Sequence, residues 1–113
     1  MIWYEDLYVG ESIVHKTKKI KWKIRHNAGT IDIYVISFAS NEENLLDIIP
    51  SWELLQRGYP KRKIFIVGLA KGYEEALEVA SSIIEEVYRQ TGGFDVRKYL
   101  LDKDRQKGQR DLK

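Results

Sequence analysis

At 113 residues the chain has the size of one domain, with 43% apolar and 32% charged side chains and a net charge of +2, too small by itself to imply a polyanionic partner. It holds no cysteine, which excludes a disulfide scaffold, a thiolate zinc site and a cysteine nucleophile. No apolar run approaches the roughly 20 residues a membrane span needs, and MIWYEDLYVG has no basic start, so a cytoplasmic protein without a secretory signal is expected, with no membrane partner.

The segment MIWYEDLYV is a candidate edge strand. Residues 15–26, HKTKKIKWKIRH, then gather five lysines and one arginine around Trp22 with no carboxylate. As a strand they would put Ile20, Trp22 and Ile24 on one face and the cations on the other. As a helix starting near Ser12 they would align Ile13, Thr17, Ile20, Ile24 and Ala28, stop at Gly29, and leave Trp22 outside among the lysines. The alternation fails before residue 18 whereas the helical stripe reaches back to Ile13, and lysine suits helix better than strand, so helix is favoured.

TIDIYVISFA and KIFIVGLA are rich in β-branched and aromatic residues and read as strands buried on both faces. In the connector, Asn41 or Asn44 can cap a short helix through Leu45–Ile49, Pro50 breaks it, and Ser51 can cap a turn through Trp52–Gln56. Such a connector allows a parallel βαβ crossover. KGYEEALEVASSIIEEVYRQTGG follows as an amphipathic helix, with Tyr73, Ala76, Leu77, Ala80, Ile83, Ile84, Val87 and Tyr88 on its apolar face and Gly92–Gly93 as its stop. Asp95 is a candidate N-cap for a last helix running to about Leu101, with Phe94 packing on Tyr99 as a hydrophobic staple. Residues 102–113 are charged and expected to be a disordered tail after a single domain over 1–101.

The expected fold is α/β, in the order α-β-α-β-α-α: a small sheet of two parallel strands plus a possible N-terminal edge strand, packed by helices. The stretches NLLDIIPSWELLQ, IVGLAKGYEEALE and TGGFDVRKYL resemble short uncharacterised proteins of Gram-positive anaerobic bacteria. The resemblance implies a bacterial cytoplasmic protein and brings no activity or cofactor.

Three candidate surfaces emerge. Lys16, Lys18, Lys19, Lys21, Trp22, Lys23 and Arg25 could neutralise phosphates while the indole stacks on a base, although charge runs are most often solvated faces. The turn Gly68, Lys71, Gly72, Tyr73 could hold an anion or small molecule at a helix N-terminus, with Ser37, Ser40 and Asn41 close by if the strands are parallel. It matches no phosphate-binding fingerprint, and Glu74–Glu75 would repel a phosphate. Trp3, Tyr4, Tyr8, Trp52 and Tyr59 could form an interface. His15 and His26 sit among cations and make poor metal ligands, no serine lies in a nucleophile elbow, and no catalytic set or cofactor is implied. Association with a protein partner or as a homo-oligomer is the favoured function, because a two-stranded sheet is incomplete. Nucleic-acid binding is the alternative.

Overall fold

The computed structural model describes residues 1–41 and 43–111. Strand β1 (Ile2–Val9) passes through a 3-10 segment, Glu11–Lys16, into helix α1 (Thr17–Arg25). Strands β2 (Ile33–Phe38) and β3 (Leu46–Pro50) follow, then the short helix α2 (Ser51–Leu54), a 3-10 turn at Lys61–Lys63, and strand β4 (Phe65–Lys71). Helices α3 (Tyr73–Thr91) and α4 (Val96–Asp111) complete the chain. The four strands form one mixed sheet in the order β1-β4-β2-β3. Strand β4 pairs parallel with β1 and antiparallel with β2, and β2 pairs antiparallel with β3. The fold is α/β, and MIWYEDLYV supplies an edge strand.

Two expectations change together. The strands read as parallel neighbours are antiparallel, with Ile33 opposite Lys71 and Ser37 opposite Ile66. The cause lies in the connector, where the helix expected over Leu45–Ile49 is strand β3. Because β3 turns the chain back, the crossover through α2 returns β4 parallel to β3 and therefore antiparallel to β2. Ile48 packs toward α3 and Ile49 toward α1, so the consecutive apolar residues serve two faces of a strand instead of one stripe of a helix. Asn41 does accept backbone N–H bonds from Glu43 (2.9 Å) and Asn44 (3.0 Å), but this closes the β2–β3 loop and starts no helix.

The sheet is covered on both sides. Toward α3 and α4 the core contains Tyr4, Ile36, Phe38, Val67, Ala70, Ile83, Val87, Val96 and Leu100. Toward α1 and α2 it contains Ile13, Ile20, Ile24, Val35, Leu54, Ile66 and Leu69. The predicted α1 stripe is thus buried at Ile13, Ile20 and Ile24, with Thr17 half-buried. The helix ends at Arg25, earlier than Gly29 would stop it. Asn27 takes a left-handed φ of 55°, Ala28 N–H donates to Lys23 O (2.8 Å) and Asn27 N–H to Ile24 O (3.3 Å). That pair of bonds is a Schellman ending with asparagine in the place usually held by glycine.

At α3 the predicted stop is found: Gly92 has φ 74° and its N–H donates to Tyr88 O (2.8 Å). Its buried face is centred on Ala76, Val79, Ala80, Ile83 and Val87, while Tyr73, Leu77 and Tyr88 stand largely exposed. Asp95 caps α4 through Lys98 N–H (3.1 Å). Phe94 stacks on Tyr88 (ring centroids 5.2 Å apart), and the Tyr99 hydroxyl donates to Glu86. Helix α4 continues past Leu101 to Asp111, and Lys103 in this extension bonds to Glu86.

Candidate nucleic-acid interface

Helix α1 lies on the sheet by its isoleucines, so its opposite face carries what is left of the sequence: Lys18, Lys19, Trp22, Arg25 and His26, all exposed, preceded by exposed Lys16. Trp22 is 56% exposed and points away from the Ile20–Ile24 stripe, as the helical alternative requires. Its indole stacks on the His26 ring one turn later, at a centroid distance of 4.3 Å and 24° between planes. The His26 Nδ1 lies 2.7 Å from Trp22 O, which fixes the imidazole over the end of the helix. Lys21 and Arg25 lean the other way, over the half-buried ring of Trp3 at 5.2 and 5.7 Å. Lys23 is half-buried on the remaining flank.

The tertiary structure adds a second basic segment at the C-terminal end of this helix. The Lys61 Nζ donates to Ile24 O (2.7 Å) and to the Asn27 side-chain oxygen, so a cation sits where the dipole at the C-terminus of α1 is negative. Burial lowers the Lys61 pKa. The bond pins the turn Lys61–Arg62–Lys63 beside α1, and Arg62 and Lys63 are exposed. Sequence reasoning missed this segment because it is far from α1 along the chain; only the three consecutive basic residues after Pro60 hinted at it. Glu74, Glu78 and Glu85 lie exposed on α3, across the sheet. A nearly neutral protein is therefore electrically polarised, with a basic layer over one face of the sheet and an acidic helix over the other.

The strand-end turn proves to be filled. Glu75 Oε1 accepts from Lys71 N–H (2.9 Å) and the Ser12 hydroxyl (2.8 Å), and Oε2 accepts from Ser12 N–H (3.4 Å). Burial pushes this carboxyl up, but those hydrogen bonds and the nearby Lys71 charge outweigh it and hold the group below the usual carboxylate range. The donors at the turn thus already serve an anion, and it belongs to the chain. Gly68 is a packing residue inside β4: a Cβ there would lie 3.0 Å from Tyr8 O and 3.2 Å from Val79 Cγ1. Gly72 takes a φ of 81°, which is why the turn needs glycine. Tyr73 packs edge-on against Tyr34. Because β2 and β4 run oppositely, Ser37, Ser40 and Asn41 lie at the other end of the sheet from Lys71 and Tyr73. The composite small-molecule site is not assembled.

The five aromatic interface candidates also divide. Trp3 and Tyr59 pack into the α1 side of the core, whereas Tyr4 is buried and Tyr8 half-buried on the α3 side. Only Trp52, 57% exposed, presents a large surface to solvent. A cluster that the sequence did not indicate lies instead on the α4 side. Glu86 Oε2 accepts from the hydroxyls of Tyr8 (2.9 Å) and Tyr99 (2.8 Å) and from Lys103 Nζ (3.1 Å). Burial and the facing Glu86 raise the pKa values of Tyr8 and Tyr99. A groove of about 870 Å³ runs beside it, lined by Asp6, Phe94, Lys98, Asp102 and Lys103. The mixed signs of that lining select no ligand charge, and the cluster's geometry is that of a clasp between β1, α3 and α4.

Among the described residues, no group of three or more His, Asp or Glu side chains is arranged to hold a metal ion, and no helix is long and apolar enough to cross a membrane. No protein-family model, curated protein or solved structure matches the chain.

Proposed function

We propose that the chain binds nucleic acid through the outer face of α1, extended by the Lys61–Lys63 turn. The observation that carries this reading is the exposed Trp22–His26 ring pair, set among Lys16, Lys18 and Lys19 on a helix whose apolar side is already buried. A solvated face has no need of an ordered indole, and a helix that only covers a core has no need of a second basic segment clamped to its end. Phosphate neutralisation by such a face gives binding whose affinity falls steeply with salt. Base-specific recognition is not part of the proposal, since α1 contributes one arginine and Asn27 is engaged by Lys61. A cytoplasmic setting, where such ligands are abundant, belongs to the same proposal.

The test is fluorescence anisotropy with labelled oligonucleotides across a salt series. With about five phosphates engaged, the slope of log K against log salt is expected to be roughly −4. Reversal of charge in K18E/K19E should weaken binding to every oligonucleotide and flatten that slope by about 2. Absence of salt-dependent binding at low ionic strength would refute the proposal.

Protein association is a second reading, and one observation favours it: Trp52 stands exposed directly after β3, an edge strand with no partner on its outer side among the described residues. Its warrant from an incomplete sheet has gone, because β1 and β3 widen the sheet to four strands. Light scattering of wild-type and W52A protein tests it, since a concentration-independent monomer in both would remove the reason for it.

A further inference from the structure

We infer that the α1 face takes single-stranded rather than duplex nucleic acid, with one base stacked on the indole of Trp22 on the side away from His26; this rests on the nucleic-acid reading above. Trp22 stands at the crest of the helix, with Lys18 and Lys19 one turn before it and Arg25 and His26 one turn after. His26 covers one face of the indole at 4.3 Å and is itself held by its contact with Trp22 O at 2.7 Å. The residue is 56% exposed, and among the described residues no second ring contacts the indole. The platform is ordered before any ligand arrives, so little rotamer entropy is lost when a base completes a three-ring stack.

The neighbouring charges fit a strand running across that stack. Lys18 and Lys19 stand about 5 Å before the indole along the helix axis. A single strand can lay a base on Trp22 while its phosphates on that side reach these two lysines. A duplex offers no base face without unstacking, and an indole projecting between the lysines would hold them away from its backbone. Inserted wedges that kink duplexes are compact apolar side chains, whereas a Trp–His pair presents a flat platform.

An anionic membrane surface would also attract the lysines. Interfacial helices, however, bind by burying an apolar face, and the apolar face of α1 (Ile13, Ile20, Ile24) is already committed to the core. The bases should be accepted without sequence preference, because stacking uses the π-face that all of them share.

The experiment measures binding of the full chain to a labelled oligothymidylate, to a duplex of the same length and to anionic lipid vesicles, using wild-type, W22A and W22F protein. Circular dichroism melts check that the variants are folded, as expected for an exposed position. The single strand should bind more tightly than the duplex and quench indole fluorescence, and W22F should lose most of that quenching, which assigns it to Trp22 over Trp3 and Trp52. W22A should lose between about 5-fold and about 150-fold of single-strand affinity while keeping the salt slope, and W22F should recover much of the loss. Equal affinity of wild-type and W22A for the single strand, or tighter binding of duplex or vesicles, would overturn the inference. If salt-dependent binding to both oligonucleotides persists in that case, the nucleic-acid reading stands alone; if neither oligonucleotide binds, both fall.

Discussion

Substitution of Glu86 by glutamine is expected to loosen α4 from the sheet, and the cost follows from the geometry of one carboxylate oxygen. Glu86 Oε2 accepts from Tyr8 in β1, Tyr99 in α4 and Lys103 one turn further along α4, at 2.9, 2.8 and 3.1 Å. Glutamine keeps the shape and an acceptor oxygen but removes the charge. Hydrogen bonds to a charged group contribute about 1 kcal/mol more than neutral ones, so the two tyrosine bonds together lose about 1.5 kcal/mol, allowing for their sharing one atom. The Lys103 side chain is 40% exposed and that of Glu86 24%, so solvent screens their attraction and about 0.5 kcal/mol is the appropriate contribution. The total of about 2 kcal/mol corresponds to a fall in Tm of roughly 8 °C for a domain of this size.

The pH dependence supplies a sharper test. Burial raises the Glu86 carboxyl, but the hydrogen bonds from Tyr99, Tyr8 and Lys103, and the Lys103 charge, outweigh it and leave the group below its ordinary range. The folded state therefore binds this proton less readily than the unfolded chain. Its stabilisation is fully present above the ordinary carboxylate range and is lost as pH falls through the depressed folded value. Thermal melts of wild-type and E86Q protein should differ most near neutral pH and converge in acid. Equal melting temperatures at neutral pH, or a gap that stays constant into acid, would refute the reasoning. A Y99F/E86Q double-mutant cycle should return a coupling of about 1 kcal/mol between these two residues.

Gly68→Ala should destabilise the protein by about 1–3 kcal/mol, read from the denaturation midpoint, because the added methyl meets the Tyr8 carbonyl at 3.0 Å and Ile36 Cδ1 at 3.3 Å. A variant as stable as the wild type would show that β1 and α3 can move apart without cost. At the strand-end turn, phosphate should leave the amide resonances of Lys71 and Gly72 in place, since Glu75 already occupies the Lys71 N–H and the Gly72 N–H donates to Asp32 O (2.7 Å). A saturable shift centred on Gly72 would reverse that assignment.

Much of the α/β architecture was legible because its signals are local. Burial on two faces marked β2 and β4, a 3.6-residue stripe marked α3, and the stripe from Ile13 to Ile24 was enough to prefer helix over hairpin for the basic segment. Strand β3 was not legible. In LLDIIP a strand serving two faces and a single helical turn place apolar residues alike, and the Asn41 cap that suggested a helix closes a loop instead. The aromatic candidates divided for a related reason: Trp3 and Tyr4 are neighbours in β1, yet one packs toward α1 and the other toward α3, because successive side chains of a strand serve opposite faces.

The amino-acid order by itself favoured an amphipathic α1, and once that segment is helical its spacing puts Trp22 on the outer side with the cations. Tertiary structure decided what no spacing contains: that Lys61 reaches the end of α1, that Glu75 fills the turn before α3, and that Glu86 gathers donors from β1 and α4. Each of these joins residues distant in the chain, the second through the Ser12 hydroxyl that donates to Glu75. Their meeting depends on the direction in which β4 enters the sheet, and that direction was set by the return of the chain through β3.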